Sequence, residues 1–192
     1  MSQYIKIGLK VLWLIVLTYW FISGLIAKKA EHQEPFIKRF VQYWLPLIIA
    51  MLFLGPGEWF GRSWLRENFI EHSDLVGTIG LSISVIGAII ACASRYKLGR
   101  NWSLSVQKKE DHQLIQDGIY RIVRHPIYTG LLLLFIGNAL IVGDYRAIIA
   151  VLIVFVSLWL KLKKEEKLLI EIFGTKYTEY QNRTKAIIPY LL

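Results

Sequence analysis

The chain has 192 residues, of which 55% are hydrophobic and 19% are charged, and its formal net charge is +9. Soluble proteins have about 25% charged residues, and a soluble domain of this size cannot bury so much apolar surface. The composition therefore predicts a membrane protein and excludes a disordered chain, a collagen and a disulfide scaffold.

Five apolar stretches without Asp, Glu, Lys or Arg are predicted to be membrane-spanning helices, at residues 11–27, 40–57, 75–94, 127–143 and 147–160. A helix needs about 20 largely apolar residues to cross a bilayer core of about 30 Å. Pro46 lies inside the second stretch and is expected to kink it. The first stretch is longer than a signal-peptide core of about 7–15 residues and is followed by no A-x-A site, so a retained span is favoured over a cleaved signal.

The last two stretches are separated only by Asp144, Tyr145 and Arg146, which predicts a tight helical hairpin. The stretch 147–160 is short, so it is either a span or a buried or re-entrant helix. If it is a span, the lysines that follow it are expected to extend toward the headgroups and complete the crossing. These lysines are Lys161, Lys163 and Lys164.

Basic residues are distributed unevenly about the five predicted spans. Most of the 23 Lys and Arg fall in the segments 28–39, 95–125 and 161–192, which lie on one side if every stretch crosses the membrane. Because basic residues concentrate on the cytoplasmic side, the C-terminus is predicted to be cytoplasmic and the N-terminus outside. This bias accounts for the positive charge without nucleic-acid binding. The outer segment 58–74 is rich in aromatic residues and is expected to anchor at headgroup depth.

The first polar motif is the segment 117–130, Asp-Gly-Ile-Tyr-Arg-Ile-Val-Arg-His-Pro-Ile-Tyr-Thr-Gly. Pro126 suits the first position of the fourth helix, where its missing N–H costs nothing, and His125 then becomes the N-cap residue beside free backbone donors. Taken alone, the segment also fits an interfacial helix start with ordinary arginine and tyrosine anchors.

The second polar motif is the segment 161–174. Residues recur in it at three- and four-residue spacing, at Leu162, Glu165, Glu166 and Leu169. The fifth helix is therefore predicted to continue into the cytoplasm and to end at Gly174. Consecutive residues point about 100° apart, so only one glutamate is expected to face the bundle interior, and Glu166 is expected to be turned away. A solvated helix face with a Lys161–Glu165 pair is the alternative.

Together these motifs resemble the isoprenylcysteine carboxyl methyltransferases and their relatives, the phospholipid N-methyltransferases. The matching blocks are Gln107, His-Gln-Leu-Ile at 112–115, the segment 118–128, the segment 165–174, Tyr-Thr-Glu-Tyr-Gln-Asn-Arg at 177–183 and Ile-Pro at 188–189. The resemblance covers roughly residues 98–192. It implies an all-α integral membrane fold with a cofactor region built from the loop after the third helix and the C-terminal tail. We divide the chain into an N-terminal part, 1–74, and a methyltransferase core, 75–192.

The resemblance implies transfer of a methyl group from S-adenosyl-L-methionine to a lipid-tailed acceptor, with no metal. The implied acceptor is the carboxylate of a prenylated cysteine, or alternatively the amine of a phospholipid. The cofactor contacts implied by position are Gln107, His112, Gln113, Leu114, Ile115, Tyr120, His125, Pro126, Ile127, Tyr128 and Glu165. These residue types suit the task, because tyrosine rings attract a sulfonium cation and a carboxylate can bind a ribose diol or an amino group.

Lys161 and Arg124 are the candidate catalytic residues. At the position of Lys161, four residues before Glu165, the family's carboxyl methyltransferases usually carry an arginine. A lysine attracts a carboxylate but cannot form the two-pronged contact of an arginine, so this difference leaves the acceptor open.

Two further function classes compete with a methyltransferase. A lipid enone reductase would bind NADPH through a similar C-terminal architecture. A non-enzymatic lipid-binding or transport protein predicts ionisable residues in mid-membrane, and the five apolar stretches contain none. The expected partners are a prenylated or lipid acceptor and the membrane lipids.

Overall fold

The computed structural model describes residues 1–25, 35–99, 102 and 113–189. Six helices account for most of this part of the chain: α1 (Gln3–Leu25), α2 (Phe36–Leu54), α3 (Asp74–Leu98), α4 (Pro126–Val142), α5 (Tyr145–Phe173) and α6 (Thr175–Arg183). Short 3₁₀ turns lie at Gly57–Phe60, Trp64–Arg66 and Gly118–Arg121. The described residues contain no β-strand, only two isolated bridges, and the predicted all-α fold is confirmed.

Four of these helices, α1, α2, α3 and α5, are long and apolar enough to cross a bilayer. Helix α4 is also apolar but has 17 residues, which makes it shorter than the other four, so the count of five spans stays a prediction. Helix α1 begins at Gln3, well before the apolar stretch 11–27, and takes in Lys6 and Lys10.

The hairpin between α4 and α5 is as tight as predicted. Gly143 ends α4 with φ of 75°, a left-handed conformation that glycine adopts without a steric penalty, and α5 begins two residues later. Helix α5 then runs without a break for 29 residues to Phe173, with Gly174 as its C-cap residue. Its length confirms that the fifth helix extends beyond the apolar stretch and disfavours a short re-entrant helix.

Helices α3 and α4 pack along a seam of glycines. A Cβ atom on Gly137 would lie 2.6 Å from the backbone nitrogen of Ser84, and one on Gly80 would lie 2.6 Å from the carbonyl oxygen of Gly137. The Ser84 hydroxyl also donates to the carbonyl of Leu134 across the seam. Small residues let helices in a membrane approach backbone to backbone, where packing and hydrogen bonds hold them together.

Helix α2 is fastened to the α4–α5 hairpin by Arg146. This side chain is buried, forms an ion pair with Asp144 at 2.9 Å and donates to the carbonyls of Phe53 and Gly55 at the end of α2. Arg146, which the sequence analysis placed in a short connector, is thus a buried residue that joins two helices. It holds the C-terminal end of α2, which is the end far from Lys161.

Candidate functional site

The loop before α4 is held by the C-terminal segment of the chain. The backbone N–H of Arg124 donates to the carbonyl of Lys185 at 2.8 Å, and that of His125 donates to the carbonyl of Ala186 at 2.9 Å. The Thr129 hydroxyl donates to the carbonyl of Ile187 at 2.6 Å. These bonds satisfy backbone groups at the start of α4 and fix His125 as its N-cap residue, followed by Pro126, as predicted.

The His125 ring lies between two consecutive glutamates of α5. Its Nδ1 atom is 3.6 Å from Oε2 of Glu165, and its Nε2 atom is 3.4 Å from Oε1 of Glu166. The ring is buried and stacks on the ring of Tyr128, with centroids 5.3 Å apart. The first and second polar motifs therefore meet at this point.

The prediction that Glu166 turns away from the bundle interior was wrong. Glu166 is buried, and its carboxylate accepts a hydrogen bond from Nε of Arg124 at 2.7 Å. The reason is that α5 has protein on two sides at this level, so two faces about 100° apart are both covered. Arg124 also donates to the carbonyls of Gln181 and Thr184. Its guanidinium is therefore engaged with this chain's own groups.

Lys161 faces inward, one turn before Glu165. Its Nζ atom is 3.8 Å from Oε1 of Glu165 and lies 5.3 Å and 5.4 Å from the ring centroids of Tyr43 and Tyr128. Only 12% of the side chain is exposed, so the expectation that Lys161 extends to the headgroups was wrong. Lys163, two residues further along, is exposed, and its ammonium lies over the Trp159 ring.

A groove between α2 and α5 ends at Lys161. Its volume is about 590 Å³, and it is lined by Val41, Gln42, Tyr43, Pro46, Leu152, Ile153, Val156, Ser157, Leu160, Lys161 and Lys164. The lining is aliphatic over most of its length and polar at one end, where Nζ of Lys164 donates to Oε1 of Gln42 at 2.9 Å. An apolar groove that ends at cations suits an amphiphile with an anionic head.

Three tyrosines, Tyr120, Tyr177 and Tyr180, pack beside the site. The Tyr180 hydroxyl donates to the carbonyl of Tyr120, and the Tyr120 hydroxyl donates to the carbonyl of Ser94 at 3.2 Å. Burial raises the pKa of Tyr120 and of Tyr177, so both phenols stay neutral. Within the described part of the chain, the buried Tyr177 hydroxyl has no hydrogen-bond partner.

The predicted site residues divide into three groups. The structure brings together Arg124, His125, Tyr128, Lys161 and Glu165, with Pro126 and the buried Ile127 at the start of α4. Gln113, Leu114 and Ile115 precede the 3₁₀ turn that carries Tyr120, and Gln113 is exposed. Gln107 and His112 lie outside the described residues.

Sequence reasoning missed three residues that the structure places at or beside this cluster, Tyr43, Glu166 and Tyr177. Tyr43 comes from an apolar stretch that carries no polar motif, so no sequence signal marked it. Tyr177 belongs to the matching block at 177–183, but the sequence of that block does not indicate which of its tyrosines is buried.

A family model of phospholipid methyltransferases matches residues 75–176. A protein-S-isoprenylcysteine O-methyltransferase of Arabidopsis thaliana is 27% identical over 146 residues, which cover 74% of this chain and 68% of the relative. The corresponding protein of Schizosaccharomyces pombe is 28% identical over 164 residues, 78% of this chain and 67% of the relative. That of Tribolium castaneum is 30% identical over 143 residues, 67% of this chain and 50% of the relative.

A solved structure shows a similar fold. It is an isoprenylcysteine carboxyl methyltransferase, described as the eukaryotic intramembrane Ras methyltransferase, with a TM-score of 0.56 and 24% sequence identity. The match covers 81% of this chain, and the chain spans 52% of the solved chain. With the apolar helices, it makes this chain an integral, multi-pass membrane protein. The family model, the relatives and the shared fold agree, and the chain belongs to the superfamily of the isoprenylcysteine carboxyl methyltransferases and phospholipid methyltransferases.

Proposed function

We propose that this chain is a methyltransferase that esterifies the carboxylate of a prenylated cysteine with a methyl group from S-adenosyl-L-methionine. The observation that carries the proposal is the position of Lys161, an inward-facing cation where an apolar groove meets the Glu165 and His125 cluster. The named activity of the curated relatives supports the same reaction. The prenyl chain of the acceptor fits the aliphatic length of the groove, and the carboxylate of its cysteine fits the polar end.

The residues around His125 fit the proposed cofactor. Glu165 can accept hydrogen bonds from a ribose diol or an amino group, and the Tyr128 ring face attracts a cation. The buried Tyr177 hydroxyl, which has no partner among the described residues, is a further donor on this side. When bound, S-adenosyl-L-methionine supplies an activated methyl group on a positively charged sulfur. Arg124 and Glu166 are proposed to position His125 without touching the acceptor.

The acceptor needs no general base, because a carboxylate is already ionised at neutral pH. In our proposal Lys161 holds this carboxylate at the end of the groove, which aligns the nucleophile and replaces some of its hydration. A carboxylate and a sulfonium together give a neutral ester, so charge disappears along the reaction and a site with little water favours it. The burial of His125 and the low exposure of the Lys161 side chain are consistent with such a site.

We further propose that residues 75–192 form the methyltransferase core and that 1–74 supply one wall of the groove. The cofactor would enter from the cytoplasm, on the side of the C-terminus, while the lipid tail would enter sideways between α2 and α5. Separate entry routes suit a reaction that joins a polar and an apolar substrate.

Lys161 variants test the proposed acceptor. Lys161→Ala should raise the KM for a prenylcysteine acceptor about 10- to 100-fold, the equivalent of one charge-assisted hydrogen bond, and should leave the affinity for S-adenosylhomocysteine nearly unchanged. Lys161→Arg should retain activity. The matched control is Lys163→Ala, which removes an exposed lysine two residues away.

A phospholipid amine acceptor predicts the opposite behaviour. A lysine repels a protonated amine, so Lys161→Ala would then be neutral or mildly activating. Unchanged carboxylate methylation in Lys161→Ala would remove the main physical support for the proposed acceptor.

A further inference from the structure

Helix α2 is irregular where it faces the site. Phe40–Trp44 forms a π-helical turn, in which the N–H of Leu45 reaches the carbonyl of Phe40. Pro46 follows directly and has no N–H for the carbonyl four residues earlier, so the regular α-helical ladder cannot continue through this point. Single π-helical turns within helices are frequent at functional sites.

Two adjacent residues of this turn each contact a lysine of α5. The ring of Tyr43 lies 5.3 Å from Nζ of Lys161, and Oε1 of Gln42 accepts a hydrogen bond from Lys164. The two lysines are three residues apart on α5, so they lie on one face of that helix. The turn therefore fixes both cations at the polar end of the groove.

The Lys161 ammonium is shared among three partners. The rings of Tyr43 and Tyr128 approach it from two helices, and the Glu165 carboxylate is 3.8 Å away. A direct ammonium–carboxylate hydrogen bond is about 2.7–2.9 Å long. At 3.8 Å the ammonium is within ion-pair distance of Glu165 but beyond the usual hydrogen-bond length, and it also lies over both rings.

We propose that Tyr43 is a positioning residue that directs Lys161 toward an anionic acceptor head in the groove and leaves Glu165 available to the cofactor. Without the Tyr43 ring, the ammonium would move onto Glu165, and both residues would neutralise each other. The site then includes a residue from the N-terminal part of the chain, outside the family match at 75–176. The inference rests on the proposed function for the roles of Lys161 and Glu165.

A double-mutant cycle of Tyr43→Leu and Lys161→Ala tests this role. Tyr43→Leu should weaken S-adenosylhomocysteine binding, measured by calorimetry in detergent, and raise the acceptor KM, each by about twofold to thirtyfold, the range of one cation–π contact. In the Lys161→Ala background, the further change caused by Tyr43→Leu should vanish. Tyr43→Phe keeps the ring and should be much less impaired than Tyr43→Leu. Phe40→Leu, in the same π-helical turn, controls for packing.

The four proteins of the cycle, which are the wild type, the two single mutants and the double mutant, also allow a measurement that needs no ligand. If the ring contacts the ammonium, Tyr43→Leu should lower the thermal unfolding temperature by less when residue 161 is already alanine. Equal losses in both backgrounds, or a Tyr43→Phe variant as impaired as Tyr43→Leu, would overturn the inference. A wild-type protein that binds no S-adenosylhomocysteine would overturn the proposed function instead, and the unfolding cycle would still decide whether Tyr43 holds Lys161.

Discussion

His125 and its two carboxylates define the candidate site at the scale of single residues. Glu165 and Glu166 are adjacent in the chain, yet each lies close to one nitrogen of the same ring. The other contacts of the two carboxylates differ, because Glu165 lies near Lys161 whereas Glu166 pairs with the part-buried Arg124. Removing the Glu165 carboxylate should therefore have a different effect from removing the Glu166 carboxylate.

We expect Glu166→Ala chiefly to destabilise the fold. It leaves the part-buried Arg124 guanidinium without its carboxylate partner, and the cost of about 3–5 kcal/mol for breaking a fully buried ion pair from one side is an upper bound here. Glu165→Ala should instead weaken S-adenosylhomocysteine binding about 10- to 100-fold, with a smaller loss of stability. Thermal unfolding and calorimetry in detergent separate the two effects. Equal effects of both substitutions on binding and on stability would contradict these assignments.

The convergence of Lys161, Glu165 and His125 was predictable from sequence, because helical spacing and the resemblance both pointed to it. The burial of Glu166 was not. Periodicity tells which residues share a face of α5, but it does not tell how many neighbouring segments cover the helix. The C-terminal segment that covers the second face carries the matching blocks at 177–183 and 188–189, but neither block tells what the segment packs against, and its pairing with the loop before α4 is a long-range contact.

At the scale of helices, the sequence predicted the apolar stretches, the start of α4 from Pro126 and the end of α5 from Gly174. It did not predict how the helices pack. The glycines of α3 and α4 are spaced like those of many membrane helices, and only the structure shows that they face each other. Similarly, Pro46 predicted an irregularity in α2, but not a π-helical turn that places Tyr43 at the site.

The α3–α4 seam gives a prediction at this scale. Gly137→Ala places a Cβ atom 2.6 Å from the backbone nitrogen of Ser84, so the two helices must separate. We expect a loss of about 1–3 kcal/mol, measured by thermal unfolding in detergent. Gly24→Ala is the matched control, because its nearest neighbour is a Trp102 ring atom at 4.0 Å, and it should be neutral or slightly stabilising. A Gly137→Ala protein as stable as the control would mean that α3 and α4 do not pack this closely.

At the scale of the whole molecule, one amphiphile must reach the site from the membrane and one polar cofactor must reach it from water. In our proposal the groove between α2 and α5 provides the first route, and the C-terminal end of α5 with α6 faces the second. This arrangement requires the C-terminal end of α5 and all of α6 to be cytoplasmic. The charge bias of the sequence predicted the same orientation.

Cysteine labelling in intact cells tests the orientation. The sequence has one cysteine, Cys92, and Cys92→Ser removes it. In this background, Lys176→Cys on α6 should resist a membrane-impermeant maleimide, whereas Arg62→Cys in the segment between α2 and α3 should react. Permeabilised cells provide the control, since both positions are exposed and should react there. Labelling of position 176 from outside intact cells would reverse the predicted topology.

We propose that this protein methylates a carboxylate on a lipid-tailed acceptor. The most direct measurement incubates the purified protein in detergent with methyl-labelled S-adenosyl-L-methionine and either farnesylcysteine or phosphatidylethanolamine. We predict that the label enters farnesylcysteine and is released as methanol by mild base, which identifies a methyl ester. Label that stays on the phospholipid amine through base treatment, or the absence of transfer to either acceptor, would contradict the claim.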